Sequence, residues 1–81
     1  MDLLYFAWVR ERIGLPRETV TTEAATVEDL VTELASREER YAAAFSDRRA
    51  LRVALDQELA EWDSPLTGVR EVAFFPPMTG G

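Results

Sequence analysis

The sequence contains no cysteine. Disulfide bonds, thiolate catalysis and zinc–thiolate centres are therefore excluded. Histidine is also missing, which removes the usual general base near neutral pH and the commonest metal ligand. There is no lysine: all nine basic residues are arginines. That absence has two readings, the base composition of a genome, or selection against an activated C-terminus capturing an amine of its own chain or its copies. No apolar run is long enough to span a bilayer, and Met1 to Tyr5 lacks the basic leader region of a secretion signal. A cytoplasmic protein is expected. Basic residues are few beside fifteen acidic ones, for a net charge of −6. This balance argues against nucleic acid and anionic membrane as partners, and suits a basic partner surface.

What remains is enough for one small α+β domain. Nearly half of the 81 residues are hydrophobic. A chain this short buries about 60% of its unfolded surface, so it has one modest core. The charged fraction is ordinary, and bulk disorder is not expected.

Leu3 to Val9 reads as a first strand, with Leu3, Tyr5, Ala7 and Val9 on one face and Leu4, Phe6, Trp8 and Arg10 on the other. Gly14-Leu15-Pro16 marks a turn, and Glu18 to Thr22 reads as a second strand forming a hairpin with the first. Thr26 has the character of a helix N-cap, with Glu28 and Asp29 at the positive end of the helix dipole. Val27, Leu30, Val31 and Leu34 follow the spacing of a buried helical stripe, with Arg37 and Arg40 at its end. Tyr41 to Phe45 predicts a short further helix, and Ser46 to Arg49 a loop. Leu51 to Leu55 alternates as a strand, Gln57 to Trp62 as a short one, and Glu71 to Phe75 as a strong last one. Pro76-Pro77 stops it, because proline cannot donate to a ladder. One helix on one mixed sheet satisfies the layer rule for an α+β domain. The division expected is a domain over 1–75 and a flexible tail over 76–81.

The tail concentrates the chemistry. The two prolines fix φ and favour extended backbone, so Pro76-Pro77-Met78-Thr79-Gly80-Gly81 is expected to project from the last strand. Gly80 and Gly81 lack a Cβ and can enter a narrow channel. A carboxylate delivered in this way can attack the α-phosphate of ATP, giving an acyl-adenylate open to a sulfur or nitrogen nucleophile.

Glu71-Val72-Ala73-Phe74-Phe75-Pro76-Pro77-Met78-Thr79-Gly80-Gly81 resembles the C-terminus of the small, sulfur-carrying subunit of molybdopterin synthase. Leu4-Tyr5-Phe6-Ala7-Trp8-Val9-Arg10-Glu11 resembles that family's opening segment, and Leu55-Asp56-Gln57-Glu58-Leu59 and Asp63-Ser64-Pro65-Leu66 its middle. The resemblance covers essentially the whole chain, and its terminal motif is the specific part. It implies a β-grasp (ubiquitin-like) fold. It further implies that an E1-like adenylyltransferase, the nucleotide-binding partner, activates Gly81 with ATP, and that a sulfur donor protein converts the adenylate to a thiocarboxylate. The large catalytic subunit would take in the tail and pass the sulfur to cyclic pyranopterin monophosphate, in molybdenum cofactor biosynthesis. Catalytic side chains would belong to that subunit, so the chain is not an enzyme by itself and has no resident cofactor or metal. The sequence departs from the family at Gly68-Val69-Arg70-Glu71, where an acidic Gly-Asp-Glu turn is usual, at Asp56, where asparagine is common, and at Met78, where valine is.

With Leu3, Tyr5 and Val9 under the helix, Phe6, Trp8, Ala54 and Phe75 are expected on the opposite sheet face beside the tail. Phe75, Phe6, Trp8 and Arg10, with Pro76, Pro77, Met78, Thr79 and Gly80, are thus the candidate partner-binding residues. Phe75 is the expected aromatic anchor, and Arg10 has an acidic partner group or plain solvent as its alternatives. Competing readings are a sulfur carrier of thiamine or cysteine synthesis, a ubiquitin-like protein modifier, and a binding module with an inert tail.

Overall fold

The architecture comes from a computed structural model that describes residues 1–77. Its five strands are β1 (Asp2–Tyr5), β2 (Arg17–Thr19), β3 (Arg52–Leu55), β4 (Glu58–Ala60) and β5 (Glu71–Phe75). Three helices, α1 (Ala7–Ile13), α2 (Val27–Arg37) and α3 (Glu39–Ala44), and a 3-10 turn at Arg48–Ala50 complete it. The sheet order is β2-β1-β5-β3-β4. The first and last strands lie parallel at its centre, and every other pair is antiparallel. A parallel pair needs a long crossover between its strands, and here α2 and α3 lie within it. This is the mixed α+β arrangement of a β-grasp domain.

The first strand is shorter than its composition suggests. It ends at Tyr5 rather than Val9. The Phe6 amide donates to the Phe74 carbonyl at 3.1 Å. Beyond that point β5 gives way to Pro76-Pro77, so a longer β1 would have no ladder partner there. Ala7 instead turns into the left-handed region at φ 54°, and α1 begins. Val9 and Ile13, four residues apart, then share one helical face, and both are buried. The helix stops at Gly14, whose φ of 91° suits a residue without a Cβ and whose amide reaches the Arg10 carbonyl at 2.7 Å.

The main helix forms where its pattern predicts. The Thr26 hydroxyl accepts the Asp29 amide at 3.2 Å, capping α2, and Val27, Leu30, Val31 and Leu34 are buried. The helix ends at Arg37, so Arg40 belongs to α3. The second strand is limited to Arg17–Thr19 and the fourth to Glu58–Ala60. Part of the loop expected at Ser46–Arg49 tightens into the 3-10 turn.

Phe74, on β5, anchors the core. Its ring stacks on Tyr5 at 6.0 Å and Trp62 at 6.4 Å, and meets Phe45 edge-on at 4.8 Å. Such pairs contribute about 0.5–1.5 kcal/mol each beyond area burial. Polar groups tie the flank: the Glu18 carboxylate on β2 accepts hydrogen bonds from the hydroxyls of Tyr5 and Tyr41, while Arg40 donates to the Ile13 carbonyl at the end of α1 at 2.9 Å. These contacts join both edges of the α1 connection to α3. They fix the strand that ends beside the tail.

Candidate functional site

The site is built on the sheet face opposite the core. Along β5, Val72 and Phe74 point inward, so Glu71, Ala73 and Phe75 point outward by the period of two. The register then sets Leu4, Ala73, Ala54 and Leu59 in one line across four strands. The two alanines are only 8% exposed, whereas Leu59 is 77% exposed. Small side chains flanked by larger ones make a shallow apolar trough. At its tail end stand Phe75, half-buried, and Phe6, 46% exposed. This line of residues is the candidate contact surface.

The turn geometry fixes where β5 starts. Asp56 and Gln57, between β3 and β4, both adopt positive φ, 48° and 72°, as a two-residue hairpin loop requires. The Asp56 Oδ1 accepts the amides of Arg70 and Glu71, each at 3.0 Å, and the Asp56 amide donates to the Glu71 carbonyl at 2.9 Å. This clasp holds the segment in which the family's usual acidic turn is replaced. Gly68 supplies the left-handed backbone there at φ 76°, and the Val69 amide closes the turn on the Leu66 carbonyl at 3.0 Å. The departures at Val69 and Arg70 therefore sit in a well-bonded turn.

Not every residue expected on this face is found there. Phe6 and Phe75 stand beside the end of β5, whereas Ala54 shares their face but pairs with Ala73 and is 8% exposed. Trp8 and Arg10 do not join them on the sheet, because β1 has already ended and both lie on α1. Trp8 packs partly against the core, with the Arg12 guanidinium 5.7 Å from its ring centre. It lines an open groove of about 380 Å³ with Arg12, Ala43, Ala44, Ser46, Asp47 and Ala50. Arg10 is exposed on α1. Pro76 and Pro77 follow β5 and are half-buried. Met78, Thr79, Gly80 and Gly81 lie outside the described residues. Leu59 was not among the expected contacts. The alternation of Glu58-Leu59-Ala60 hinted at it, but its place opposite Ala54 follows only from the register.

Among the described residues no group of three or more acidic side chains is placed to hold a metal ion. No described helix is long and apolar enough to cross a membrane.

The model of the ThiS family matches residues 3–81. The chain belongs to the ThiS family. Two curated relatives are similar over their full length. The molybdopterin synthase sulfur carrier subunit of Escherichia coli (strain K12) is 44% identical over 81 residues, covering 100% of this chain and 99% of that protein. The corresponding subunit of Haemophilus influenzae is 36% identical with the same coverage. Among solved structures, SAMP1 from Haloferax volcanii superposes with a TM-score of 0.73 at 25% identity, covering 100% of this chain and 98% of that one. A putative molybdopterin converting factor subunit 1 from Pyrococcus furiosus gives 0.69 at 26% identity, covering 95% of each. In this ThiS-family chain the trough crosses β5 at Ala73, and Phe75 ends the strand that leads into the segment carrying Gly80-Gly81.

Proposed function

We propose that this ThiS-family chain is the sulfur carrier subunit of molybdopterin synthase in molybdenum cofactor biosynthesis. The observation that carries the reading is the 44% identity over the whole chain to a protein of that name. The domain over 1–75 presents the tail over 76–81, and the reacting group is the carboxylate of Gly81. An activating partner catalyses attack of that carboxylate on the α-phosphate of ATP, releasing pyrophosphate and leaving an acyl-adenylate. Sulfide released by a sulfur donor attacks the carbonyl, AMP leaves, and the thiocarboxylate forms. Inside the catalytic subunit the sulfur passes to cyclic pyranopterin monophosphate, and water restores the carboxylate.

Three features support this division of labour. The chain lacks cysteine and histidine, so beyond the Gly81 carboxylate itself, the sulfur nucleophile and any imidazole base come from its partners. Gly80 and Gly81 leave the attacked carbonyl uncrowded. The trough of Leu4, Ala73, Ala54 and Leu59, with Phe75 and Phe6 at its end, offers the catalytic subunit an apolar footing beside the tail. ATP is consumed by the activating partner and is not a resident cofactor. The cytoplasm, where ATP is abundant, is the compartment this chemistry suits.

The test is the intact mass of the chain after incubation with its adenylyltransferase, ATP and a sulfide source. The expected result is a gain equal to exchange of one oxygen for sulfur, absent from a chain lacking Gly81. No mass change, under conditions that convert an authentic carrier, would overturn the proposal. A ladder of conjugates on target lysines would favour the modifier reading instead.

A further inference from the structure

The nine arginines of this acidic chain differ in what holds them. Arg17, Arg37, Arg40, Arg48 and Arg49 each meet a carboxylate. Among the described residues, no carboxylate lies within ion-pair distance of Arg10, Arg12, Arg52 or Arg70. Two of these four are nonetheless held in place. The Arg12 guanidinium lies over the Trp8 ring, and Arg52 donates to the carbonyls of Leu51 at 2.7 Å and Arg49 at 3.4 Å. An aromatic face and backbone carbonyls orient a guanidinium without cancelling its charge.

Arg52 stands at the end of the sheet where β5 stops, and Arg12 lies on α1, the helix that follows β1 at that end. Arg52 is the register partner of Phe75, the last residue of β5. It borders a depression of about 270 Å³ that Leu59 also lines, so it adjoins the apolar trough. Arg12 borders the separate groove of Trp8 and Ala50, and Ala50 is close in sequence to Arg52. We propose that Arg12 and Arg52 guide docking by facing carboxylates on the rim of the protein site that takes in the tail. The proposal rests on the carrier reading.

Two observations favour an acidic protein rim over a phosphate-bearing substrate. The guanidinium groups border different depressions, so they do not converge on one small anion. The segment 76–81 spans at most about 20 Å when extended, which lets the reacting end lie far beyond its root. The rest of the chain is strongly acidic and is repelled by the same rim. Approach is therefore favoured with the tail leading, which raises the productive association rate.

The experiment is stopped-flow association with the catalytic subunit across a range of salt. The full chain is compared with Arg12→Gln/Arg52→Gln, Arg12→Lys/Arg52→Lys and Arg70→Gln, the last removing a charge at the start of β5. The glutamine pair is expected to associate about fivefold more slowly at low salt, with a flatter salt dependence. The lysine pair keeps most of the rate, and Arg70→Gln is near wild type. Equal rates for the glutamine pair and Arg70→Gln would overturn the proposal while leaving the carrier reading intact. So would a glutamine pair that alters only the KM for ATP during adenylation. Failure of the unaltered chain to bind the catalytic subunit would overturn both. Matching thermal midpoints exclude misfolding as the cause of a slower rate.

Discussion

Truncating Leu59 to alanine separates docking from folding more cleanly than any other change to this face. Leu59 is 77% exposed in the free chain, so its side chain contributes little to the core and almost all of its apolar surface is available to a partner. The substitution removes about three methylene equivalents, at about 0.8 kcal/mol each when buried. Scaled by its exposure, the loss on docking is about 1.8 kcal/mol. That corresponds to roughly a twentyfold rise in Kd for the catalytic subunit. Folding stability is expected to move by less than about 0.5 kcal/mol, as for an exposed position without special contacts. Calorimetric titration against the catalytic subunit and urea denaturation of the free chain measure the two quantities independently. A Kd within about twofold of wild type, with stability unchanged, would refute the trough as the docking face. A large loss of stability would refute the placement of Leu59 on the open side of β4.

Two further predictions concern the framework that aims the tail. Burial and the hydrogen bond to the Glu18 carboxylate push the Tyr41 hydroxyl up to about 12, and the same causes raise that of Tyr5. Both tyrosines ionise more readily when unfolded, so the stability they confer is present below pH 10 and is lost as pH rises from there through the raised folded value. For Tyr41 the slope is about 1.4 kcal/mol per pH unit, and Tyr41→Phe should remove that part of it in urea midpoints followed from pH 8 upward. Asp56→Ala, which takes the acceptor from the Arg70 and Glu71 amides and keeps a Cβ at positive φ, is expected to cost about 2 kcal/mol by the same denaturation assay. Asp56→Asn, which retains the acceptor and favours the left-handed region, should stay close to wild type.

Local patterns made much of this protein legible. Thr26, the acidic first turn and the spacing from Val27 to Leu34 specify α2, because an N-cap and a 3.6-residue stripe are properties of one short segment. The same holds for Glu71 to Phe75, whose apolar alternation ends at two prolines. The order of elements and the resemblance of the terminal motif together indicated a β-grasp carrier. Composition alone removed cysteine, histidine and zinc–thiolate chemistry from consideration.

Other features depended on residues distant in the chain. Leu3 to Val9 is apolar enough for either a strand or a strand followed by a helix. The choice was made where β5, some seventy residues later, runs out of ladder groups beside Phe6, and Gly14 then stops α1. That choice moved Trp8 and Arg10 from the sheet to a helix. The line of Leu4, Ala73, Ala54 and Leu59 arises from three strand registers, none of which is encoded within a single strand. Likewise, nine arginines look alike in the sequence, and only folding decides which of them meet carboxylates among the described residues. Sequence by itself determined the main helix and the last strand, because caps, periodicity and residue type act locally. Tertiary structure decided which side chains share a surface, because pairing and burial are contacts between segments far apart in the chain.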